Sequence, residues 1–148
     1  ASDWSSDVCS SDLKKGFKPI EGAAGWQLSN AQIFPMAIHK ASLELFDQAG
    51  IENLRAKSET LTAYLEFILN DYTNYLTVIT PKTAADRGCQ LSIIVKEDGK
   101  KLFDYLEANG IMPDWREPDV IRMSPVPMYN SFEDVYRIGE VLKAYFKK

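Results

Sequence analysis

The sequence predicts an α+β fold in which helices cover one face of a small and mostly antiparallel sheet. In the first half of the chain, apolar residues recur every three or four positions, which is the period of a helix with one buried face. After residue 75 the period changes to two, which is typical of a strand with one buried face. Helical stripes return between and after the short strands, so we expect a layer of helices packed on one sheet.

Two long helices are predicted first. The first carries apolar residues at positions 34, 38, 41 and 45, and Gly50 is suited to end it because glycine readily adopts the left-handed conformation that follows a helix. The second carries its stripe at positions 54, 58, 61, 65 and 68 and should run to about Asp71. Because the connection is so short, we expect the two helices to pack as an antiparallel or steeply crossed pair.

The strands and the remaining helices follow in the second half. Residues 76–80 (LTVIT) form a short β-branched run that ends at a proline, and residues 89–96 (CQLSIIVK) alternate apolar and mostly polar side chains. A helix over KKLFDYLEANG should end at Gly110, and two extended pieces, IMPDW and DVIRMS, come next. Ser131 and Asp134 have the spacing of a capping box, which predicts the start of the last helix.

Composition excludes several classes of function. The net charge of −4 and the pI of about 5.0 argue against a protein that binds nucleic acid through its phosphates. No apolar run is long enough to cross a bilayer. Cys9 and Cys89 lie in unlike surroundings, so we expect a reduced, cytoplasmic protein. With His39 as the only histidine, no catalytic triad can be assembled and no metal site is predicted.

Residues 1–13 differ in composition from the rest of the chain. They are rich in serine and aspartate and contain neither the basic start nor the apolar stretch of a secretory signal. A functional leader is one interpretation, and a metal site from Cys9 and the nearby aspartates is another. We favour a third, a non-native and disordered extension of the kind that translated vector or adaptor bases produce, because this composition cannot support a core. We therefore expect the natural protein to continue upstream.

Arg122 is the candidate binding residue. It stands among Val120, Ile121 and Met123 and precedes a rigid Pro-x-Pro segment. A guanidinium is always charged, and burying one without an anion is costly, so an acidic group should meet it. That group is either an Asp or Glu of the protein, in an internal salt bridge, or the carboxylate of a substrate held by two hydrogen bonds.

Three other residues have a structural and a functional interpretation. Asn30 stands where an extended segment turns into a helix, so it is either the N-cap or an amide that contacts a cofactor or substrate. Arg87 precedes a strand and is most simply solvated or paired with Asp86. Cys89 lies on the apolar side of the alternation and is expected to be a small buried residue rather than a nucleophile.

Several stretches together resemble the C-terminal part of the kynureninase family, from about residue 16 to residue 145. They are GWQLSN, ASLELFDQAG, LRAKSETLTAYLEFIL, RGCQLSI and GIMPDWREPDVIRMSPVPMYNSFEDVYRI. Kynureninases are pyridoxal 5′-phosphate enzymes of the aspartate aminotransferase fold, fold type I. The resemblance implies that this chain is the small C-terminal domain of such an enzyme (residues 73–148) preceded by a linker and long helices (residues 14–72).

The resemblance also implies an activity, a cofactor and two site residues. The activity is hydrolysis of L-kynurenine, or its 3-hydroxy form, to anthranilate, or 3-hydroxyanthranilate, and L-alanine, in tryptophan degradation and NAD biosynthesis. Arg122 occupies the position that binds the substrate α-carboxylate, and Asn30 occupies the position that lies against pyridoxal 5′-phosphate. The full-length protein is expected to be a cytoplasmic homodimer.

The family's remaining catalytic groups are expected upstream of this chain. They are the Schiff-base lysine, the phosphate-binding loop and the aspartate that pairs with the pyridine nitrogen. Lys14, Lys15 and Lys18 do not stand in the motif of that lysine. We therefore assign no catalytic residue here and expect the chain alone to be inactive. The alternative is a non-catalytic α+β module that binds a small carboxylate ligand through Arg122.

Overall fold

The computed structural model describes residues 20–26, 30 and 32–147, and residues 1–13 lie outside this range. The chain divides into two compact units, Ala1–Ser42 and Leu43–Lys148. The helices are α1 (Ile33–Ala49), α2 (Ile51–Asn70), α3 (Gly99–Ala108) and α4 (Phe132–Phe146). The strands are β1 (Leu76–Val78), β2 (Leu91–Val95), β3 (Asp114–Arg116) and β4 (Val120–Met123). Short 3-10 turns occur at Ala23–Trp26 and Ala84–Asp86.

The four strands form one sheet in the order β1-β2-β4-β3, and every neighbouring pair is antiparallel. Residues alternate between the two faces, so Leu91, Ile93 and Val95 of β2 share the inner face, as do Ile121 and Met123 of β4. All five are buried. The predicted α+β fold class, with a small antiparallel sheet, is confirmed.

Helices α2, α3 and α4 supply the other side of the core. Their buried residues recur at helical spacing and join the inner face of the sheet in one hydrophobic cluster. The members from the helices are Leu61, Leu65, Leu69, Leu102, Phe103, Leu106, Val135, Ile138 and Leu142. Burial of this apolar surface is what holds the three helices on one side of the sheet.

The predicted helix ends are close to those observed. Gly50 adopts a φ of 76° between α1 and α2, and Gly110 adopts a φ of 77° after α3, as the left-handed end of a helix requires. The capping box of α4 is formed. The Ser131 side chain accepts a hydrogen bond from the Asp134 backbone N–H, and the Asp134 side chain accepts one from the Ser131 backbone N–H.

Helix α1 is exposed along its predicted apolar face. It contains no buried residue, and Phe34 and Ile38 of its predicted apolar face are 82% and 73% exposed. By contrast, α2 buries Leu54, Leu61 and further residues of its own stripe. The spacing of apolar residues therefore predicted the position of helix α1 but not the surface that its apolar face contacts. The same spacing suits any apolar partner, so it cannot identify one.

Candidate functional site

The outer face of the sheet carries the polar residues of the candidate site. Arg122 on β4 lies opposite Ser92 on β2 and Asp114 on β3 in the antiparallel registers. Residues directly opposite each other project from the same face of a sheet. These three side chains therefore form a row across three strands, on the face that the core helices do not cover.

Arg122 and Asp114 form an ion pair within this row. The Nε of Arg122 donates to Oδ2 of Asp114 at 2.5 Å, and its Nη2 contacts the same oxygen. Arg116 donates to that oxygen from the other side, through its Nε, at 2.9 Å. The hydrogen bond from Arg122 is the main reason that the pKa of Asp114 lies below its usual value, and partial desolvation opposes it.

Of the two alternatives for Arg122, the internal salt bridge is thus present, with Asp114 as the acidic partner. The pair does not enclose the arginine, whose side chain remains 32% exposed. Asp114 occupies the edge of the guanidinium formed by Nε and Nη2 and does not use Nη1. The guanidinium therefore keeps donors that Asp114 does not use and that could bind a second anion.

Side chains on β2 extend the polar row. Gln90 donates from its amide to the hydroxyl of Ser92 at 3.2 Å, and the backbone N–H of Ser92 donates to the hydroxyl of Thr80 at 2.8 Å. Hydroxyl and amide groups beside a guanidinium can hydrogen-bond to polar parts of a bound molecule. The arrangement is suited to bind a small anion with polar substituents.

The loop after β4 is fixed by hydrogen bonds at both ends. Lys57 on α2 donates to the carbonyl of Pro127 at 2.8 Å, and the backbone N–H of Val126 donates to the side chain of Asn130 at 2.8 Å. These bonds hold the Pro-x-Pro segment against the helices, so the end of β4 and the residues beside Arg122 have a defined position.

A cleft of about 370 Å³ opens between the end of β4 and the start of α4. It combines apolar side chains with the charged groups of Asp134 and Arg137. Arg122 does not line it, since its side chain projects from the outer face of the sheet. The lining residues include Ile111, Met112, Pro113, Met123, Pro125 and Tyr129.

The interpretation of Arg87 as solvated or paired with Asp86 is wrong. Its Nη2 forms an ion pair with Oε2 of Glu66 at 2.7 Å, and its side chain is only 6% exposed. Its Nη1 donates to the carbonyl of Pro81 at 3.2 Å, and Arg55 on α2 donates to the carbonyl of Arg87 at 3.1 Å. These bonds attach the β1–β2 loop to α2.

The other predicted residues are placed more simply. Asn30 belongs to the first unit, is exposed and lies three residues before the start of α1, so it is not the N-cap. Cys89 is a free thiol, is half-buried and precedes β2 rather than lying within it. His39 is exposed on α1. Cys9 and the predicted leader lie outside the described residues.

Sequence reasoning identified Arg122 but missed the residues around it. Asp114 and Arg116 lie in a different strand, and only the register of β3 and β4 brings them to Arg122. The alternation in residues 89–96 could have placed Ser92 on the polar face, but its position opposite Arg122 depends on the pairing of β2 with β4.

The fold is shared with parts of two NifS-like proteins of known structure. One, described as a NifS-like protein, matches with a TM-score of 0.65 at 21% identity, over 91% of this chain and 41% of that chain. The other, a NifS-like protein from Rickettsia africae, matches with a TM-score of 0.58 at 17% identity, over 66% of this chain and 30% of that chain. At this level of identity the likeness shows the fold alone. It defines the class: an α+β domain that forms part of a larger polypeptide in its structural relatives.

Sequence comparison gives the family. The sequence profile of the Kynureninase C-terminal domain matches residues 54–142. The chain is 48% identical over 135 residues to kynureninase from Flavobacterium psychrophilum and 49% identical over 137 residues to kynureninase from Xanthomonas campestris pv. campestris. These matches cover 88% and 90% of this chain and 32% of each relative. The chain belongs to the Kynureninase C-terminal domain family and spans about a third of the length of these relatives.

The described residues contain neither a membrane-spanning helix nor a metal-binding cluster. Within 20–26, 30 and 32–147, no helix has the length and hydrophobicity of a membrane span. The same residues contain no group of three or more His, Cys, Asp or Glu side chains that could hold a metal ion.

Proposed function

We propose that the full-length protein is a kynureninase, which hydrolyses the Cβ–Cγ bond of L-kynurenine or 3-hydroxy-L-kynurenine to release L-alanine. The aromatic product is anthranilate or 3-hydroxyanthranilate. The reaction belongs to tryptophan degradation and NAD biosynthesis. Membership of the Kynureninase C-terminal domain family over residues 54–142 supports this proposal. This chain contributes the small C-terminal domain, residues 73–148, and the segment 14–72 that leads into it.

Arg122 is the residue that binds the substrate in this proposal. Its part-exposed guanidinium, with one edge not used by Asp114, is the observation that carries the assignment. The planar guanidinium matches the two oxygens of a carboxylate, so it can hold the α-carboxylate of an amino acid by two parallel hydrogen bonds. Fixing that group orients the bond to be cleaved and lowers the entropic part of the barrier.

Pyridoxal 5′-phosphate is the cofactor that the proposal requires, and it supplies the electron sink for the cleavage. The described residues offer it Asn30, which is exposed and therefore accessible. One amide can hydrogen-bond to the cofactor but replaces neither the lysine that links it covalently nor the loop that binds its phosphate. The described residues alone do not make up the cofactor site. We therefore derive no step through the cofactor and expect this chain by itself to be inactive.

The proposed partners follow from the same assignment. The partner molecule is a small substrate rather than nucleic acid or a membrane, and the full-length protein is a cytoplasmic homodimer. The exposed apolar side chains of α1, with Phe34 82% and Ile38 73% exposed, support a helix that other parts of the longer protein cover. A self-standing carboxylate-binding module would have no reason to leave this surface exposed.

The test is the kinetics of the full-length protein with L-kynurenine, followed through the formation of anthranilate. Arg122→Lys should raise KM roughly 10- to 100-fold, because an ammonium cannot reproduce the two-pronged contact. Arg137→Lys is the matched control, since Arg137 is an exposed arginine on α4 that donates to the backbone carbonyl of Asn109, and it should change KM little. An unchanged kcat/KM for Arg122→Lys would remove Arg122 from the site, and absence of anthranilate formation by the unaltered protein would reject the function.

A further inference from the structure

We propose that Asp114 is a positioning residue, which orients the guanidinium of Arg122 so that its free edge receives the substrate carboxylate. This inference rests on the proposed function of Arg122. It assigns a role to the carboxylate that forms the internal salt bridge. The ion pair and the substrate contact then operate together rather than exclude each other.

The guanidinium of Arg122 has two edges that can each bind a carboxylate. Arginine has five N–H donors in one plane: one on Nε and two on each Nη. Asp114 takes the edge formed by Nε and Nη2. The opposite edge, formed by the second hydrogen of Nη2 and one hydrogen of Nη1, points along the axis of the side chain. A carboxylate fits this end-on edge with two parallel hydrogen bonds, so Asp114 and a substrate can bind the same guanidinium at once.

Asp114 is itself held in place by two arginines and by strand pairing. Its Oδ2 accepts from Arg122 on one side and from Arg116 at 2.9 Å on the other. Its backbone is fixed by the pairing of β3 with β4, in which Asp114 lies opposite Arg122. The carboxylate is therefore held from two directions. It restricts a long arginine side chain that would otherwise sample many rotamers.

The net charge of the three ion-paired side chains is positive. The two arginines carry one positive charge each and Asp114 carries one negative charge, so the group of three has a net charge of about +1. The site consequently stays attractive to an anion although Arg122 is ion-paired. A carboxylate that only neutralised Arg122 would instead weaken the binding of an anionic substrate.

The experiment measures KM and kcat of the full-length holoenzyme with L-kynurenine for Asp114→Ala and Asp114→Asn. We expect KM to rise about tenfold for the alanine variant and less for the asparagine variant, which keeps one acceptor oxygen, with kcat within about twofold in both. Asp104→Ala is the matched control. Asp104 forms an ion pair with Lys100 at 2.9 Å on α3. The alanine variant removes the same charge as Asp114→Ala and should leave KM unchanged.

A second measurement separates positioning from general damage. The α-carboxamide of kynurenine lacks the carboxylate, so its inhibition constant should not change in Asp114→Ala if Asp114 acts through the carboxylate contact. A fall in KM for Asp114→Ala would show that Asp114 competes with the substrate, and it would overturn the inference. An increase in the inhibition constant of the carboxamide as large as the increase in KM would overturn it too, because the effect would then not depend on the carboxylate. Should the alanine variant fail to fold, the near-isosteric asparagine variant decides between the same outcomes.

The two proposals fail in different ways. If Arg122→Lys leaves kcat/KM unchanged, the role of Arg122 is wrong and the role of Asp114 falls with it. If Arg122→Lys raises KM while Asp114→Ala does not, only the positioning role is wrong and the proposed function stands.

Discussion

Two arginine–carboxylate pairs in this chain have the same chemistry and opposite surroundings. Arg87 pairs with Glu66, and the two side chains are 6% and 18% exposed. Arg122 pairs with Asp114, and those side chains are 32% and 48% exposed. Arg87 also gives its Nη1 to a backbone carbonyl, so protein atoms use both of its amino groups. Asp114 contacts only Nε and Nη2 of Arg122, and the proposed function gives the remaining edge of the guanidinium to the substrate.

Exposure and the number of satisfied donors distinguish a structural ion pair from an arginine that can bind a ligand. A buried guanidinium must have its donors satisfied by the protein, because unpaired buried donors are costly. A binding residue must be held in place and yet remain incompletely satisfied. The Arg87 pair meets the first description, since it joins the β1–β2 loop to α2. The Arg122 pair has the exposure that the second description requires, and the proposed function assigns it that role.

Breaking the pair between Arg87 and Glu66 should destabilise the folded chain more than breaking the pair between Arg122 and Asp114. Arg87→Ala should lower the free energy of unfolding by up to roughly 3 kcal/mol, because it leaves the carboxylate of Glu66, which is only 18% exposed, without its partner. Arg122→Ala should lower it by much less, because water solvates the exposed Asp114. Urea unfolding of the chain and the two variants measures both values. Equal losses for the two variants would remove the distinction between the pairs.

A smaller effect is expected from pH. The bond from Arg122 lowers the pKa of Asp114 below its usual value of 3.8, so the folded state favours the ionised carboxylate. The resulting stabilisation is complete above the usual value and is lost as pH falls through the lowered pKa. The stability difference between the unaltered chain and Asp114→Asn should therefore be constant near neutral pH and shrink below about pH 4.

Thermal or urea unfolding at a series of pH values down to the acid transition measures this difference. Asp104→Asn, which removes another exposed and ion-paired carboxylate, controls for general acid effects. A difference that grew as the pH fell would contradict the assigned direction of the shift.

The smallest effect is the response to salt. Raising the ionic strength from about 0.1 M to about 1 M shortens the Debye length from roughly 10 Å to roughly 3 Å, which screens exposed charges far more than buried ones. The coupling between Arg122 and Asp114, measured by a double-mutant cycle, should weaken with NaCl. The coupling between Arg87 and Glu66 should persist. The reverse pattern would show that exposure does not separate the pairs.

Much of the fold was predictable because it depends on local chemistry. The capping box of Ser131 and Asp134, the glycines that end α1 and α3, and the alternation along β2 each involve residues close in sequence. The site was only half predictable. The neighbours of Arg122 along the chain indicated that it needs an anion, but they could not indicate which one.

The α+β layer of helices and short strands could be read from the amino-acid sequence, and so could the need of Arg122 for an acidic partner. That this partner is Asp114, and that Arg87 packs against Glu66 with its side chain only 6% exposed, became known from the folded chain. Periods and caps arise within a few residues, whereas the pairing of a cation with its anion depends on strand register and on how a loop packs against a helix.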